Sequence, residues 1–383
     1  MMITLERMPA GQIAEKAKWA FTTRRVPRGT VHGLDRRLVD ARPGDLVLAR
    51  VARIGSHKRL QLASGRPSEL YEGDAVVLVC GARYAPDQFE GLAELDPRGA
   101  DMLAGGGVIG RMRSSNGRMT APTRLVPLGL LCGRDGARLN LKDYALPAIP
   151  GRAAIMPCAM AGGRPPMTVI AAIGASMNAG KTTAVASLAH GLVRAGFEVA
   201  AIKATGTGAF GDVNAYCDAG AQHVSDFVDA GMVSTYLEPH ERILDGMDRL
   251  LGHAAANCCD VALVELADGI FQRETAALLA DPAVRARFDG LLFAAPDAAS
   301  AVGGIAHLEA RGLVPDLVTG MLSRSPLAAA EASAAAGIRV VDRPSLRDPA
   351  FAGAFLAEMR GNAAAGPRAA TGRAARAAES AAA

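Results

Sequence analysis

Residues 168–183, TVIAAIGASMNAGKTT, restrict the possible folds of this chain more than any other stretch. A run of strand length, TVIAAI at 168–173, leads into Gly174 and a loop of small residues, and the loop opens a helix-like stretch at Lys181. Such a loop turns consecutive backbone N–H groups toward one point, and the helix N-terminus adds partial positive charge there. The result is a concave site for anionic oxygens. From Ala175 the residues read A-x-x-x-x-G-K-T, the Walker A pattern with Ala in the first glycine position. Gly174, Ala175, Ser176, Met177, Asn178, Ala179, Gly180, Lys181, Thr182 and Thr183 are therefore expected to bind the phosphates of a nucleoside triphosphate. Gly180 lets the backbone come close, Lys181 meets the β and γ oxygens, and Thr182 sets its hydroxyl on Mg²⁺. A chance match is the competing reading; strand, loop, GKTT and helix in that order argue against it.

The same rhythm continues downstream. Strand-length runs recur at 198–203, 260–266, 290–295, 316–322 and 338–341, separated by helix-like stretches at 181–194, 239–256, 298–310 and 327–336. This alternation predicts an α/β fold, a P-loop parallel sheet sandwiched by helices, over residues 168–361. Residues 28–146 read differently. Short apolar runs at 45–51, 59–62, 75–80, 107–111, 124–131 and 138–141 lie between Gly, Pro and Asp turn signals. They predict a small β-rich N-terminal domain, a barrel or sandwich, within residues 1–146. A short helix over 10–21 precedes it, because Ile13, Ala17, Ala20 and Phe21 fall at helical spacing. Residues 147–167, rich in Pro, Gly, Ala and Met, read as a linker. Residues 362–383 read as a disordered tail. Two domains suit a chain of 383 residues.

Composition excludes more than it assigns. A formal charge of +4 without a long basic run gives no case for nucleic acid, and aromatics at 4% leave few rings for base stacking. Arg24-Arg25, Arg36-Arg37 and His57-Lys58-Arg59 read as a solvated basic face. The six cysteines match neither a disulfide framework nor a zinc site, so reduced thiols are expected. The N-terminal segment lacks the apolar core of a signal peptide, and no apolar run approaches the roughly 20 residues of a membrane span. A soluble, cytoplasmic protein is expected.

Candidate site residues follow from the strand ends, where ligands bind in open α/β sheets. Lys203 closes the second run, VAAIK, although a lysine snorkelling from a strand end is the bland alternative. The small residues at 204–208 form a second loop able to approach an anion. Asp212 is a candidate for Mg²⁺ through water, while Asp218 can cap a helix from Ala219. Cys217 and His223 make a weak metal pair. Glu265 ends the hydrophobic run of 260–266 in a Walker B arrangement, with Asp268 as the second choice and a turn role as its alternative. Ser323 and Arg324, after a later run, face the edge where a base would bind. In the N-terminal domain, Arg83, Tyr84 and Asp87 lie on a polar loop suited either to substrate recognition or to a packed turn.

These residues resemble the P-loop fold of dethiobiotin synthetase. That group has Gly, five residues and GKT, as from Gly174 to Thr182 here, a lysine ending the second strand, as Lys203 does, and a glutamate at the third edge, matched by Glu265. The resemblance implies an ATP- and Mg²⁺-dependent reaction in which a carboxylate or carbamate attacks the γ-phosphate, flanked by both lysines. Departures are Ala204 where that group has Pro, Leu-Ala-Asp-Gly after Glu265, and Ser323 for a common Asn. Lys203 with Thr205-Gly-Thr-Gly208, and Asp226-Phe-Val before Gly231, are similar to a largely uncharacterised bacterial P-loop family. Some of its members are D-glutamate N-acetyltransferases. That likeness implies a P-loop holding the pyrophosphate of acetyl-CoA. Neither resemblance reaches residues 1–146.

The leading expectation is an ATP- and Mg²⁺-dependent enzyme that activates a small carboxylate or amino-acid-like substrate by phosphoryl transfer. Lys181, Lys203 and Glu265 are its catalytic candidates, and Thr182, Glu265, Asp212 and Asp268 its metal candidates. The alternatives are an acyl-CoA-dependent N-acyltransferase on an amino acid, and a GTP- or ATP-dependent switch or metal-delivery NTPase. The expected partners are a nucleotide and a small-molecule substrate, with homo-oligomerisation left open.

Overall fold

The computed structural model describes residues 10–149 and 166–365. Most of the 147–167 segment and the stretch beyond 365 lie outside these described residues, while 362–365 close a helix. The chain forms two compact units. One comprises residues to Pro147 together with Gly206–Asn214 and Asp226–Arg249; the other comprises Ala148–Thr205, Ala215–Ser225 and the residues from Leu250 onward.

In the first unit, α1 (Ala10–Lys16) is shorter than its periodicity suggests, because the chain turns extended at β1 (Lys18–Trp19) and pairs with a neighbouring strand. There follow β2 (Gly33–Asp35), β3 (Leu46–Arg53), β4 (Arg59–Gln61), β5 (Pro67–Glu69), β6 (Ala75–Cys80), β7 (Phe89–Leu92), β8 (Ala100–Ala104), β9 (Val108–Ser115) and β10 (Thr123–Cys132). The path β6–β3–β10–β8–β9 closes on itself, because β9 also pairs with β6 in parallel. The apolar alternation of these strands fills the closed ring with Val47, Ala49, Val51, Leu78, Cys80, Met102, Ile109, Leu125 and Leu130. Burial of each large aliphatic side chain contributes roughly 1.5–3 kcal/mol. The run at 138–141 forms no strand. It makes isolated bridges through Arg138 and Asn140 and then a 3₁₀ turn over Leu141–Tyr144.

The segments that join this unit from later in the chain bring their own pairing. Gly208 N–H donates to Val233 O at 3.0 Å and Thr235 N–H to Gly206 O at 2.9 Å. A Cβ on Gly208 would lie 2.6 Å from Thr22 Cγ2. The small residues here thus serve close backbone packing. Arg24 Nη2 donates to Asp226 Oδ1 at 2.5 Å and to Asp229 Oδ2 at 2.7 Å. Burial raises the carboxyl pKa of Asp226 above its ordinary value, against the pull of Arg24. Arg83 is buried, donating to Leu103 O and, at 2.9 Å, to Gln88 Oε1. The Tyr84 ring packs 5.5 Å from that of Tyr236.

The second unit is an α/β layer structure. Its strands are β11 (Thr168–Gly174), β12 (Val199–Lys203), β13 (His223–Asp226), β14 (Val261–Glu265), β15 (Gly290–Ala294) and β16 (Leu317–Thr319), in the order β13-β12-β14-β11-β15-β16. The pairings along β12-β14-β11-β15-β16 are parallel. Every residue of β11 and β14 is buried, as a strand covered on both faces must be. The helices after β11 are α2 (Lys181–Arg194), α3 (Phe210–Asp218), α4 (His240–Ala256), α5 (Arg273–Ala280), α6 (Pro282–Arg285), α7 (Ala298–Glu309), α8 (Pro326–Ala336), α9 (Arg343–Arg347) and α10 (Pro349–Ala365), of which α3 up to Asn214 and α4 up to Arg249 count with the first unit. Leu188 and Leu192 of α2 pack with Ile170, Leu263 and Leu292 of the sheet, and with Leu356 and Met359 of α10.

Three local expectations change. Residues 338–341 give one parallel bridge, Val318 to Val340, and no strand; the sixth strand is the polar edge β13. Asp218 ends α3 instead of capping a helix at Ala219, because Gly220, at φ +89°, terminates the helix there. Cys80, Cys132, Cys217 and Cys259 are free, whereas Cys258 is disulfide-bonded, which departs from the expectation of reduced thiols throughout.

Candidate functional site

The loop between β11 and α2 is held in shape by its neighbours. Ala175 N–H donates to Ala294 O at 2.9 Å, Ile270 N–H to Gly174 O at 3.0 Å, and Met321 N–H to Ala179 O at 3.0 Å. The ends of β14, β15 and β16 therefore all brace it. Two glycines make this bracing possible, and the motif alone did not reveal them. A Cβ on Gly269 would lie 2.8 Å from both Ala175 O and Ser176 Cα. One on Gly320 would lie 2.4 Å from Ala179 O and 2.7 Å from Ala295 O, at φ +106°. Gly180 caps α2 at φ +104°, a conformation glycine adopts without steric cost. Asn178 takes φ +62°. Ala175, Met177 and Gly180 are partly exposed, Ser176 and Asn178 exposed, and Ala179 buried.

Lys181 opens α2, and its side chain folds back over the end of β11. Its Nζ donates to Ser176 O at 2.9 Å and to Asp268 O. Gly174 provides the room, since a Cβ there would sit 2.9 Å from Lys181 Cγ and 3.0 Å from Cδ. Thr182 follows in the first helical turn, half-buried, and Thr183 is exposed.

Across the sheet, Ala172 is in register with Glu265, and Glu265 with Lys203. Residues in register on parallel strands face the same side, so a carboxylate and an amine lie side by side at the carboxyl edge. Glu265 is 2% exposed. Its Oε2 accepts a hydrogen bond from the hydroxyl of Tyr216, a residue the sequence did not single out. Just beyond, Ala267 O accepts from Thr205 Oγ1 and from Thr275 Oγ1, each at 2.6 Å. This fixes the path of the chain into Asp268, whose carbonyl holds Lys181.

The remaining candidates fall out as follows. Ser323 Oγ donates to Gly320 O at 2.8 Å, within the turn that braces the loop. Asp212, in the first turn of α3, belongs to the first compact unit, whereas Lys181, Lys203, Glu265 and Asp268 belong to the second. Among the described residues no group of three or more His, Cys, Asp and Glu is arranged to hold a metal by itself. No helix among them is long and apolar enough to cross a membrane. Chemically, the site combines converging amides, a helix N-terminus, two lysines, one buried carboxylate and a threonine hydroxyl. That set suits a polyphosphate and a cation shared with it.

No family model matches this chain, and no curated protein matches it. Among solved structures, the signal recognition particle 54 kDa protein from Aeropyrum pernix K1, crystallised in complex with GDP, is similar at 18% identity and a TM-score of 0.35. The match covers 58% of this chain and 50% of that one.

Proposed function

We propose that this chain is a P-loop enzyme that uses ATP and Mg²⁺ to activate a small carboxylate or amino-acid-like substrate by phosphoryl transfer. The observation that carries the reading is the row of charged groups on successive strands. Lys181 is folded over the end of β11, Glu265 ends β14 and Lys203 ends β12, with the last two in register. A site built only to grip a nucleotide has no need of the second lysine.

The loop amides of 175–180 and the N-terminus of α2 hold the β- and γ-phosphates, and Lys181 neutralises charge as it shifts to the leaving oxygen. The residues present fit Mg²⁺. Thr182 offers a hydroxyl in the first turn, and Glu265 offers a buried carboxylate at the end of β14. Thr182 and Glu265 would hold the ion, which would neutralise charge on the phosphates. Lys203 orients the substrate carboxylate. One carboxylate oxygen forms a bond to the γ-phosphorus as the bond to the β-phosphate oxygen breaks, giving an acyl phosphate and ADP.

The test is calorimetric titration of Mg·ATP into the wild type and Lys181→Ala, followed by ADP release against a panel of dicarboxylic and amino acids. Loss of one charge-assisted contact, about 1.5–3 kcal/mol, weakens binding by about tenfold to a hundredfold. Wild-type protein without nucleotide affinity, or Lys181→Ala binding equally well, removes the proposal. Stabilisation by acetyl-CoA and not by ATP moves the site to acyl transfer, and selective GTP binding without acceptor-stimulated turnover moves it to a switch.

A further inference from the structure

Glu265 is a carboxylate almost wholly removed from water, at the strand end where ligands approach a parallel sheet. Such a group needs donors, and its orientation is set by where they stand. The donor here is Tyr216. Its ring is fully buried in the core of the second unit, packed with the cluster that includes Ala172, Leu188 and Leu263. A tyrosine fixed in this way has little freedom to swing its hydroxyl aside. The bond engages Oε2, so Oε1 is the second oxygen whose direction it fixes.

We propose that Tyr216 is the positioning residue for Glu265, holding one carboxylate oxygen so that the other faces the nucleotide and its cation. This rests on the phosphoryl-transfer reading above. Tyr216 touches neither substrate nor reacting atoms; it acts through Glu265. An apolar residue in its place would fill the core equally well but would leave the carboxylate free to rotate and under-satisfied. The packing of the ring and the work of the hydroxyl are therefore separable, and Tyr216→Phe separates them.

The experiment compares wild type, Tyr216→Phe, Glu265→Gln and the double variant. Tyr216→Phe is expected to lower acceptor-dependent kcat by about tenfold or more, the scale of one hydrogen bond to a charged group. The KM for ATP stays within about twofold, since the loop and Lys181 are untouched. Adding Tyr216→Phe to Glu265→Gln costs nothing further. A readout independent of turnover is carbon NMR of the protein with its glutamate side-chain carboxyls labelled. The Glu265 resonance, assigned by its loss in Glu265→Gln, shifts in Tyr216→Phe and broadens as the carboxylate gains freedom. Thermal unfolding checks that the fold is kept. If Tyr216→Phe unfolds, Tyr216→Trp and a fluorotyrosine at 216, which retains a hydroxyl, replace it, with fluorotyrosine expected to keep activity. Additive effects in the double variant, or an unmoved Glu265 resonance, overturn the proposal. Should the wild type transfer no phosphoryl group to any acceptor, the functional reading falls, while the resonance still decides whether Tyr216 positions Glu265.

Discussion

Gly174→Ala adds one methyl group and tests the nucleotide site without removing a charge. Built on the existing backbone, the methyl lies 2.9 Å from Lys181 Cγ, 3.0 Å from Cδ and 3.2 Å from Nζ. Ordinary carbon contacts are about 3.5–4.0 Å, so the lysine stem must withdraw. Withdrawal breaks the anchoring of Nζ on Ser176 O and Asp268 O. The backbone at Gly174 is ordinary strand, outside the left-handed set of φ values, so alanine costs no conformational strain there. Stability should therefore change by about 1 kcal/mol or less. Affinity should fall by more, because a displaced Lys181 forfeits a charge-assisted contact of about 1.5–3 kcal/mol, or about tenfold to a hundredfold in Kd. Gly269→Ala and Gly320→Ala are the controls. Their methyl groups meet backbone atoms of the loop and of Ala295, which cannot move aside, and Gly320 adds φ +106°. Both should lose stability and binding together. Calorimetry with Mg·ATP and thermal unfolding on all four proteins decides the matter. Gly174→Ala with wild-type affinity would show that the folded-back lysine does not hold the ligand.

The remaining predictions concern both units. Burial, with the Arg83 guanidinium nearby, lowers the His57 pKa from 6.5 to about 4. The folded state thus resists protonation, and the stability His57 contributes is complete above about pH 6.5 and drains away as pH falls toward 4, by about 2–3 kcal/mol in all. Urea unfolding at pH 7 and 4.5 should show His57→Gln losing less than the wild type over that interval; parallel curves refute it. Arg24→Met leaves Asp226 and Asp229 buried without their main cation and should destabilise by about 3–5 kcal/mol at neutral pH. Because the folded Asp226 pKa is raised, the folded state binds its proton more readily than the unfolded chain, so this deficit should shrink on acidification. Adding Asp226→Asn should restore part of it, as read by denaturant melts. Thr182→Ala should raise the Mg²⁺ concentration needed for nucleotide binding about tenfold, an estimate on the scale of one metal-ligating contact, while binding measured without Mg²⁺ is unchanged.

The parallel sheet was legible because its strands are continuous apolar runs between turn signals. β11, β12 and β14 begin and end within a residue or two of those runs. The edge strand β13, His-Val-Ser-Asp, was not legible, since an edge strand is half solvated and carries no apolar run. Residues 338–341 failed in the opposite direction. Three of the four, Ile338, Val340 and Val341, are apolar and β-branched, yet only Val340 pairs, because β16 supplies just three residues to pair against. The motif placed Lys181 and Thr182 at the start of α2, and the apolar runs placed Lys203 and Glu265 at strand ends. Gly269, Gly320 and Tyr216 were missed for a common reason. Each matters through what lies across from it in space, and a glycine or tyrosine reads the same in sequence whether it faces solvent or a loop carbonyl.

For Asp212 and residues 206–208, order along the chain and grouping in space differ. They follow β12 directly, which in sequence assigns them to the sheet edge and hence to a ligand. In the folded chain, 206–214 and 226–249 are built into the first unit instead. Phe210 N–H donates to Gln61 Oε1 at 2.7 Å, and the Phe210 ring meets Phe21 edge-on at 6.1 Å. Asp226 is neutralised by Arg24, 202 positions earlier. A buried carboxylate must find its cation wherever the fold brings one, and a barrel short of helices gains a covering from segments rich in small residues. Asp226 and Asp229 are thus accounted for by ion pairs inside the first unit. Within the second unit, by contrast, Lys181 rests on its loop carbonyl and Glu265 on Tyr216, with Lys203 in register.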